Sequence, residues 1–171
     1  MKKTMTAFTG AHGTGKTTAA YKHALTLKYC SPNNSVHALC DLEADCPFLI
    51  NKDTSEEAQT WLFANQIKQE LSAHARFDIV VTDRTVIDVV AYTYVAGFHS
   101  LAQAMLAYAE QHMFYYKKIN FRKIADNEHC HPDGIRDASD RKYRQDVEDV
   151  MLDFYHRLEE SGQFSFNIQY V

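Results

Sequence analysis

Gly10-Ala11-His12-Gly13-Thr14-Gly15-Lys16-Thr17 decides how this chain is read. The stretch satisfies G-x-x-x-x-G-K-[ST] at every fixed position. Its neighbours fit as well. Thr4 to Thr9 alternates in polarity and predicts a strand, and Thr18-Ala19-Ala20 opens a helical pattern. Strand, glycine loop and helix form the context in which such a loop cradles phosphates. Gly10, Gly13 and Gly15 lack Cβ, so backbone N–H groups can converge on one anion. The helix that follows aims its positive end at the same anion. Lys16 is placed to reach β- and γ-phosphates, and the Thr17 hydroxyl to ligate Mg²⁺. Lys16 is read as an exposed loop cation with no core role.

The composition sets bounds around this loop. The chain has 171 residues, 46% hydrophobic and 23% charged, which predicts one soluble globular domain with a real core. No apolar run approaches a membrane span, and the first strand starts too early for a signal or transit peptide. Four cysteines without a C-x-x-C pair suit a reducing cytoplasm. A net charge of −4 argues against a protein that binds by neutralising a polyanion.

Outward from the loop, strands and helices alternate. A first helix runs from about Thr17 to Tyr29 and breaks at Ser31-Pro32-Asn33-Asn34. Ser35 to Leu39 reads as a strand. Thr54 with Glu57 is a capping-box signature for a helix through about Ala73, with Ala58, Trp61, Leu62, Asn65, Ile67 and Leu71 marking a stripe near helical spacing. Phe77 to Thr82 is the clearest strand, β-branched and nearly continuous, as a buried parallel strand should be. Helices follow at about Val86–Ala96, capped by Gly97, and from His99 to His112. Phe114 to Ile124 predicts a strand, Ser139 caps a long last helix stopped by Gly162, and Phe164 to Val171 alternates as a final strand. The pattern predicts an α/β fold: a parallel sheet of about five strands with helices on both faces. Ligands of such sheets sit outside the C-terminal strand ends, so the loop, Asp41 and Asp83-Arg84 should share one rim.

Several residues carry candidate chemistry. Asp83 closes the hydrophobic strand, where its carboxylate can hold Mg²⁺ directly or through water. Arg84 beside it can grip an acceptor or transition-state charge, or pair with Asp83. Asp41, Glu43 and Asp45 follow the second strand, and one of them could orient an acceptor hydroxyl and take its proton. Position at the strand end favours Asp41, although spacing alone does not choose. Arg136, Arg141 and Arg144 surround a Gly-containing loop and the start of a helix, as a lid over a triphosphate would. His129-Cys130-His131 is a poor zinc site, because adjacent ligands do not easily share a tetrahedral ion.

Taken together, Gly10 to Thr17, Asp83-Arg84-Thr85 with Ile87-Asp88-Val89-Val90-Ala91-Tyr92, and Asp133-Gly134-Ile135-Arg136 resemble the small phosphate-loop kinases of bacteria and their phages. These are similar to nicotinamide-riboside kinases and to nucleoside and nucleotide kinases. The resemblance covers most of the chain. It implies a single P-loop NTPase domain over residues 1–171, with a lid-like segment around 125–145. It implies ATP and Mg²⁺ at Gly10, His12, Gly13, Thr14, Gly15, Lys16, Thr17 and Thr18, with Asp83-Arg84 near the acceptor and Asp41 as the acid after the second strand. Relatives of this type often carry an arginine shortly after that acid, where this chain has Ala44. The expected activity is transfer of the γ-phosphoryl group of ATP to a nucleoside, nucleotide or related small metabolite. A hydroxyl within a polynucleotide and a non-kinase ATP-dependent switch are the alternatives.

Charge distribution bears on the acceptor. From Asp41 to Gln59 there are six acids against one base, whereas from Lys117 to Arg144 there are eight bases against five acids. The acidic stretch should flank the acceptor side and repel a long polyanion.

Overall fold

A computed structural model describes residues 3–50, 53–124, 140–164 and 167–170. Strand β1 (Thr4–Thr9) lies at the centre of a five-stranded sheet. Helix α1 (Lys16–Cys30) follows it, then β2 (Val36–Leu39), helix α2 (Glu56–Arg76) and β3 (Ile79–Thr82). Helices α3 (Val86–Val95) and α4 (His99–His112) lead to β4 (Tyr116–Phe121), α5 (Arg141–Glu160) and β5 (Asn167–Tyr170). The strand order is β2-β3-β1-β4-β5, and every pairing is parallel. The expected α/β architecture is therefore present.

Register brings the strand ends level. Ala7 pairs with Thr82, Leu39 with Thr82, and Thr9 with Phe121. The next residues in each case, Gly10, Asp83, Cys40-Asp41 and Arg122, therefore emerge along one edge. That edge is the rim on which a parallel sheet places its ligands.

The core explains the helices. α3 is buried at eight consecutive positions, Val86 to Thr93, so it reads as hydrophobic all round. Its entry is a complete capping box: Thr85 and Asp88 satisfy each other's backbone donors. The inner face of α2 is different. Gln59, Gln66 and Glu70 are buried there alongside Ala58 and Ala73. Glu70 is satisfied by Tyr116 Oη (2.7 Å), by His112 Nε2 (2.7 Å) and by the Gln66 amide (2.7 Å). Of the apolar stripe predicted for this helix Ala58 is buried, whereas Trp61, Leu62, Ile67 and Leu71 are half-buried, because the inward turn is taken up by that polar network.

Several boundaries differ from the sequence reading: β3 begins at Ile79 rather than Phe77, β4 ends at Phe121 rather than Ile124, and α2 runs on to Arg76. Ser55, not Thr54, caps α2, accepting the Ala58 N–H, while the Thr54 hydroxyl accepts the Gln59 amide. Asp140, not Ser139, caps α5 by accepting the Tyr143 N–H. Met113–Tyr115 forms a 3₁₀ turn, so β4 begins at Tyr116 rather than Phe114. A short polar side chain one residue later offers the same N-terminal bond, which is why a cap is hard to place from sequence. Gly97 (φ 89°) and Gly162 (φ 64°) take the left-handed conformation just past their helices, as expected. No described helix is long and apolar enough to cross a membrane.

Candidate active site

The glycine loop is fixed from both sides of β1. Gly10, Gly13 and Gly15 all have positive φ, at 134°, 77° and 74°. A Cβ on Gly10 would stand 2.2 Å from the Arg122 carbonyl oxygen, so that entry to the loop admits only glycine. Inside the loop the Thr14 hydroxyl and Lys16 Nζ both donate to the Ala11 carbonyl at 2.9 Å. Lys16 is only 5% exposed. This corrects the expectation of an exposed loop cation: the alkyl stem runs beneath the loop and brings the ammonium back to it. Gly15 serves as the N-cap of α1, no side chain caps that helix, and its first turn carries no acid. Its first N–H groups and positive end face the concavity of the loop, a ready site for an anion.

The walls of the loop are buried. The His12 N–H donates to Tyr92 Oη at 2.9 Å, and His12 Nδ1 lies 2.9 Å from the same oxygen. The phenol oxygen accepts the amide and is within hydrogen-bond reach of the ring nitrogen, so Tyr92 holds both the backbone and the side chain of His12. Burial pushes the Tyr92 phenol well above its ordinary value, which keeps it a donor. Beneath, Asp88 accepts from the hydroxyls of Thr9 (2.5 Å) and Thr85 (2.9 Å). The Thr85 hydroxyl also lies 2.6 Å from Tyr155 Oη. Burial raises the Asp88 carboxyl above its ordinary value, while Lys16 and Arg84 pull the other way.

Across from the loop stands the metal candidate. Thr17 Oγ1 donates to Asp83 Oδ2 at 2.6 Å. The Asp41 N–H approaches the same oxygen at 3.3 Å. Thr17 and Asp83, predicted from separate motifs, are therefore in contact. A hydroxyl and a carboxylate oxygen are the hard donors that Mg²⁺ takes, and the pair sits beside the loop that would hold the phosphates.

The acid cluster after β2 divides. Asp41 is exposed and adopts a left-handed backbone (φ 59°), which an aspartate tolerates better than most residues. That turn starts a 3₁₀ segment at Leu42–Asp45 and directs Glu43 inward. Glu43 is buried, and its Oε1 accepts from Arg84 Nη2 at 3.1 Å. Asp45 stays exposed. Arg84 thus pairs with Glu43, while Asp83 pairs with Thr17. The Arg84 guanidinium also lies over the Tyr92 ring, 5.8 Å from its centroid. Glu43, Arg84 and Tyr92 line a small pocket with Ile50, Gln59, Leu62 and Val89. Its free space is about 20 Å³, room for one water.

The arginines expected in a lid separate in the same way. Arg144 is buried, and its Nε donates to the His12 carbonyl at 2.9 Å, tying α5 to the glycine loop. Arg141, one turn earlier, is exposed. Arg136 and His129-Cys130-His131 lie outside the described residues. Among the described residues there is no cluster of His, Cys, Asp and Glu able to hold a metal ion.

Sequence reasoning gave no role to Asp88, Tyr92 or Arg122. Asp88 and Tyr92 are four apart on one helix, a spacing that signals a shared face. Nothing in the local sequence marks Arg122, whose side chain donates from Nε to the Thr14 carbonyl at 2.7 Å.

Many solved structures share this fold, three kinases among them. Thymidylate kinase from Ehrlichia chaffeensis superposes with a TM-score of 0.65 at 16% identity, over 99% of this chain and 88% of that one. Thymidylate kinase from Candida albicans gives 0.68 at 15% identity, over 99% and 84%. Deoxyadenosine kinase from M. mycoides gives 0.64 at 11% identity, over 96% and 88%. At such identities the likeness establishes the P-loop NTPase fold and nothing finer. No curated protein matches the chain in sequence. A family model described as an AAA domain matches residues 5–161, nearly the whole length, and by that match the chain belongs to the AAA_28 family of AAA domains.

Proposed function

We propose that this protein is an ATP- and Mg²⁺-dependent kinase that phosphorylates a nucleoside, nucleotide or related small metabolite. The observation that carries the reading is the opposition of two sites across β1 and β3. On one side stand the loop, Lys16 and the Thr17–Asp83 pair at 2.6 Å. On the other stands the Glu43–Arg84 pair in a small pocket of mixed polar and apolar lining. The likeness to thymidylate and deoxyadenosine kinases supports the same reading.

In this reading phosphate oxygens take the place of the Ala11 carbonyl as the partner of Lys16 Nζ. Mg²⁺, held by Thr17 and Asp83, would neutralise charge on the β- and γ-phosphates. Glu43 accepts the proton of the acceptor hydroxyl as its oxygen bonds to the γ-phosphorus. The bond to the β–γ bridging oxygen breaks, and ADP leaves. Arg84 faces the transferring group and stabilises its charge. Glu43 takes this role here in preference to Asp41, because burial beside Arg84 holds it in one geometry. With free space of about 20 Å³, the pocket must widen before it admits a nucleoside.

A compact acceptor suits the acidic stretch from Asp41 to Gln59 better than a polymer does. The test is a labelled-phosphate transfer assay with a panel of nucleosides and nucleotides against oligonucleotides of matched bases, at two salt concentrations. Small acceptors should be labelled preferentially. Labelling of the oligonucleotide that drops steeply with salt would show counterion release and give the site to a polynucleotide. Hydrolysis that no acceptor stimulates would leave the switch reading.

A further inference from the structure

The role of β4's last neighbour goes beyond this reading of the donor loop, though it rests on it. Arg122 follows β4 directly, and its N–H donates to the Thr9 carbonyl at 2.8 Å. Its own carbonyl closes against Gly10 with no room for a Cβ. The backbone is thus locked to the entry of the loop. The side chain then runs along the outside of the loop. Nε donates to the Thr14 carbonyl at 2.7 Å, and Nη2 lies 3.9 Å from where a Cβ on Gly15 would stand. Gly15 caps α1. The terminal nitrogens therefore sit beside the first turn of α1, and among the described residues neither makes a hydrogen bond.

Sheet order says which part of a donor would lie there. The acceptor pocket is on the β3 side of β1, where Glu43 and Arg84 meet. Phosphoryl transfer is in line, with attacking and leaving oxygens on opposite sides of the γ-phosphorus. The β- and α-phosphates must then extend away from β3, toward β4. Arg122 is the cation waiting on that side. With Nε already committed to the Thr14 carbonyl, the fork is pre-oriented, and its two terminal donors match the geometry of a phosphate.

The geometry points to Arg122 as a donor-binding residue that clamps the α-phosphate of the nucleotide where it leaves the loop.

Such a contact is shared by ATP and ADP and is the same in the ground and transition states. Its loss should raise KM and Kd with little effect on kcat. The experiment is calorimetric binding of ADP and of a non-hydrolysable ATP analogue to the full chain, with steady-state kinetics alongside. Arg122→Gln should weaken both nucleotides by the same factor, roughly 10- to 100-fold, the worth of a charge-assisted hydrogen bond. Arg122→Lys, which keeps the charge and loses the fork, should fall between. It also serves if the Gln variant does not fold. An unchanged ADP affinity in a folded variant overturns the proposal. So does a loss confined to kcat, which would make Arg122 a support for loop geometry alone. Absence of ADP binding to the unaltered chain would overturn the donor-site reading itself, and this assignment with it.

Discussion

Replacing Glu43 by glutamine tests the acceptor side most directly. The amide keeps the shape of the side chain and can still accept one hydrogen bond from Arg84 Nη2, now 3.1 Å from Glu43 Oε1. Two things are lost, the charge and the capacity to take a proton. Both partners are nearly buried, with side chains 9% and 3% exposed, so solvent does little to replace the missing charge. A charge-assisted bond exchanged for a neutral one should lower stability by about 1–2 kcal/mol. Alanine would remove the carboxylate paired with the guanidinium and should lower it by about 3–5 kcal/mol. For a chain of 171 residues the glutamine change corresponds to a Tm lower by about 2–8 °C. Activity should fall much further. A positioned general base contributes about 10²–10⁴-fold, so kcat should drop by that factor while Kd for ATP stays within about threefold. Asp41→Asn is the internal control. Asp41 is exposed and touches the site through its backbone N–H, which the substitution keeps. Its kcat should change less than about tenfold. The assay is labelled phosphate transfer at saturating ATP, paired with thermal unfolding of each variant. A severe Asp41→Asn beside a mild Glu43→Gln would refute the reasoning and return the role to the residue at the strand end.

Lys16→Ala should lower transfer by at least about 10²–10³-fold, because a preorganised cation at the phosphates is removed. The buried stem makes some loss of Tm expected, and near-normal turnover in a folded variant would count against the phosphate site. Arg144→Ala should reduce both stability, by about 1–3 kcal/mol, and kcat, since it frees the His12 carbonyl to which Arg144 donates. The exposed Arg141→Ala should leave Tm within about 1 °C of the parent; equal effects on Tm would mean that the two arginines are not divided as described. The fourth concerns pH. The folded Asp88 carboxyl holds its proton more tightly than in the unfolded chain, because burial raises its pKa. Its contribution to stability is therefore full below about pH 4 and is lost as pH rises through the folded value. Asp88→Asn removes that titration and should flatten the fall in unfolding free energy over the weakly acidic range. A denaturant series at several pH values reads the slope, and a slope equal to the parent's would show that Asp88 does not titrate there.

The donor half was legible because its chemistry is local. A loop that wraps an anion needs glycines at fixed spacing, and the strand and helix around it have periods of their own. Asp83 was legible too, since a carboxylate ending a β-branched run is a sharp change of character. The acceptor half depends on one backbone torsion. Asp41, Glu43 and Asp45 have the same side-chain chemistry apart from a methylene. The left-handed turn at Asp41 decides which of them enters the core. Sequence spacing assumed a continuing strand and could not supply that turn. Arg122 was hidden for a related reason. Its partners, Thr9, Gly10 and Thr14, are more than a hundred residues away in the chain, and only sheet order brings them together. The inner face of α2 misled because Gln66 and Glu70 are polar. They are buried only because Tyr116 and His112 arrive from β4 and α4 to satisfy them.

Helix α3 joins the two halves, and its burial has a physical reason beyond hydrophobicity. At its start Asp88 holds Thr9, the last residue of β1 before the loop. One turn later Tyr92 holds the His12 amide inside the loop. The same ring lies against Arg84, the arginine of the proposed acceptor pocket. Thr85, the cap, links the helix through Tyr155 to α5, and α5 returns through Arg144 to the His12 carbonyl. One rigid segment therefore contacts the strand feeding the loop, the loop itself and the opposing arginine. Their separation is set by packing among Val86 to Thr93, which leaves no room for independent adjustment. Phosphoryl transfer asks the protein for little beyond position and charge, and an ångström of slack between donor and acceptor would erase much of the gain. Tuning that distance through flexible loops would leave it variable. Fixing it through a helix buried from Val86 to Thr93 gives constancy of geometry. A substitution that enlarges or shrinks α3 away from any ligand, such as Val90→Ala, should then lower kcat in parallel with stability. The reason is that it moves the loop and Arg84 relative to each other, although it touches neither reactant.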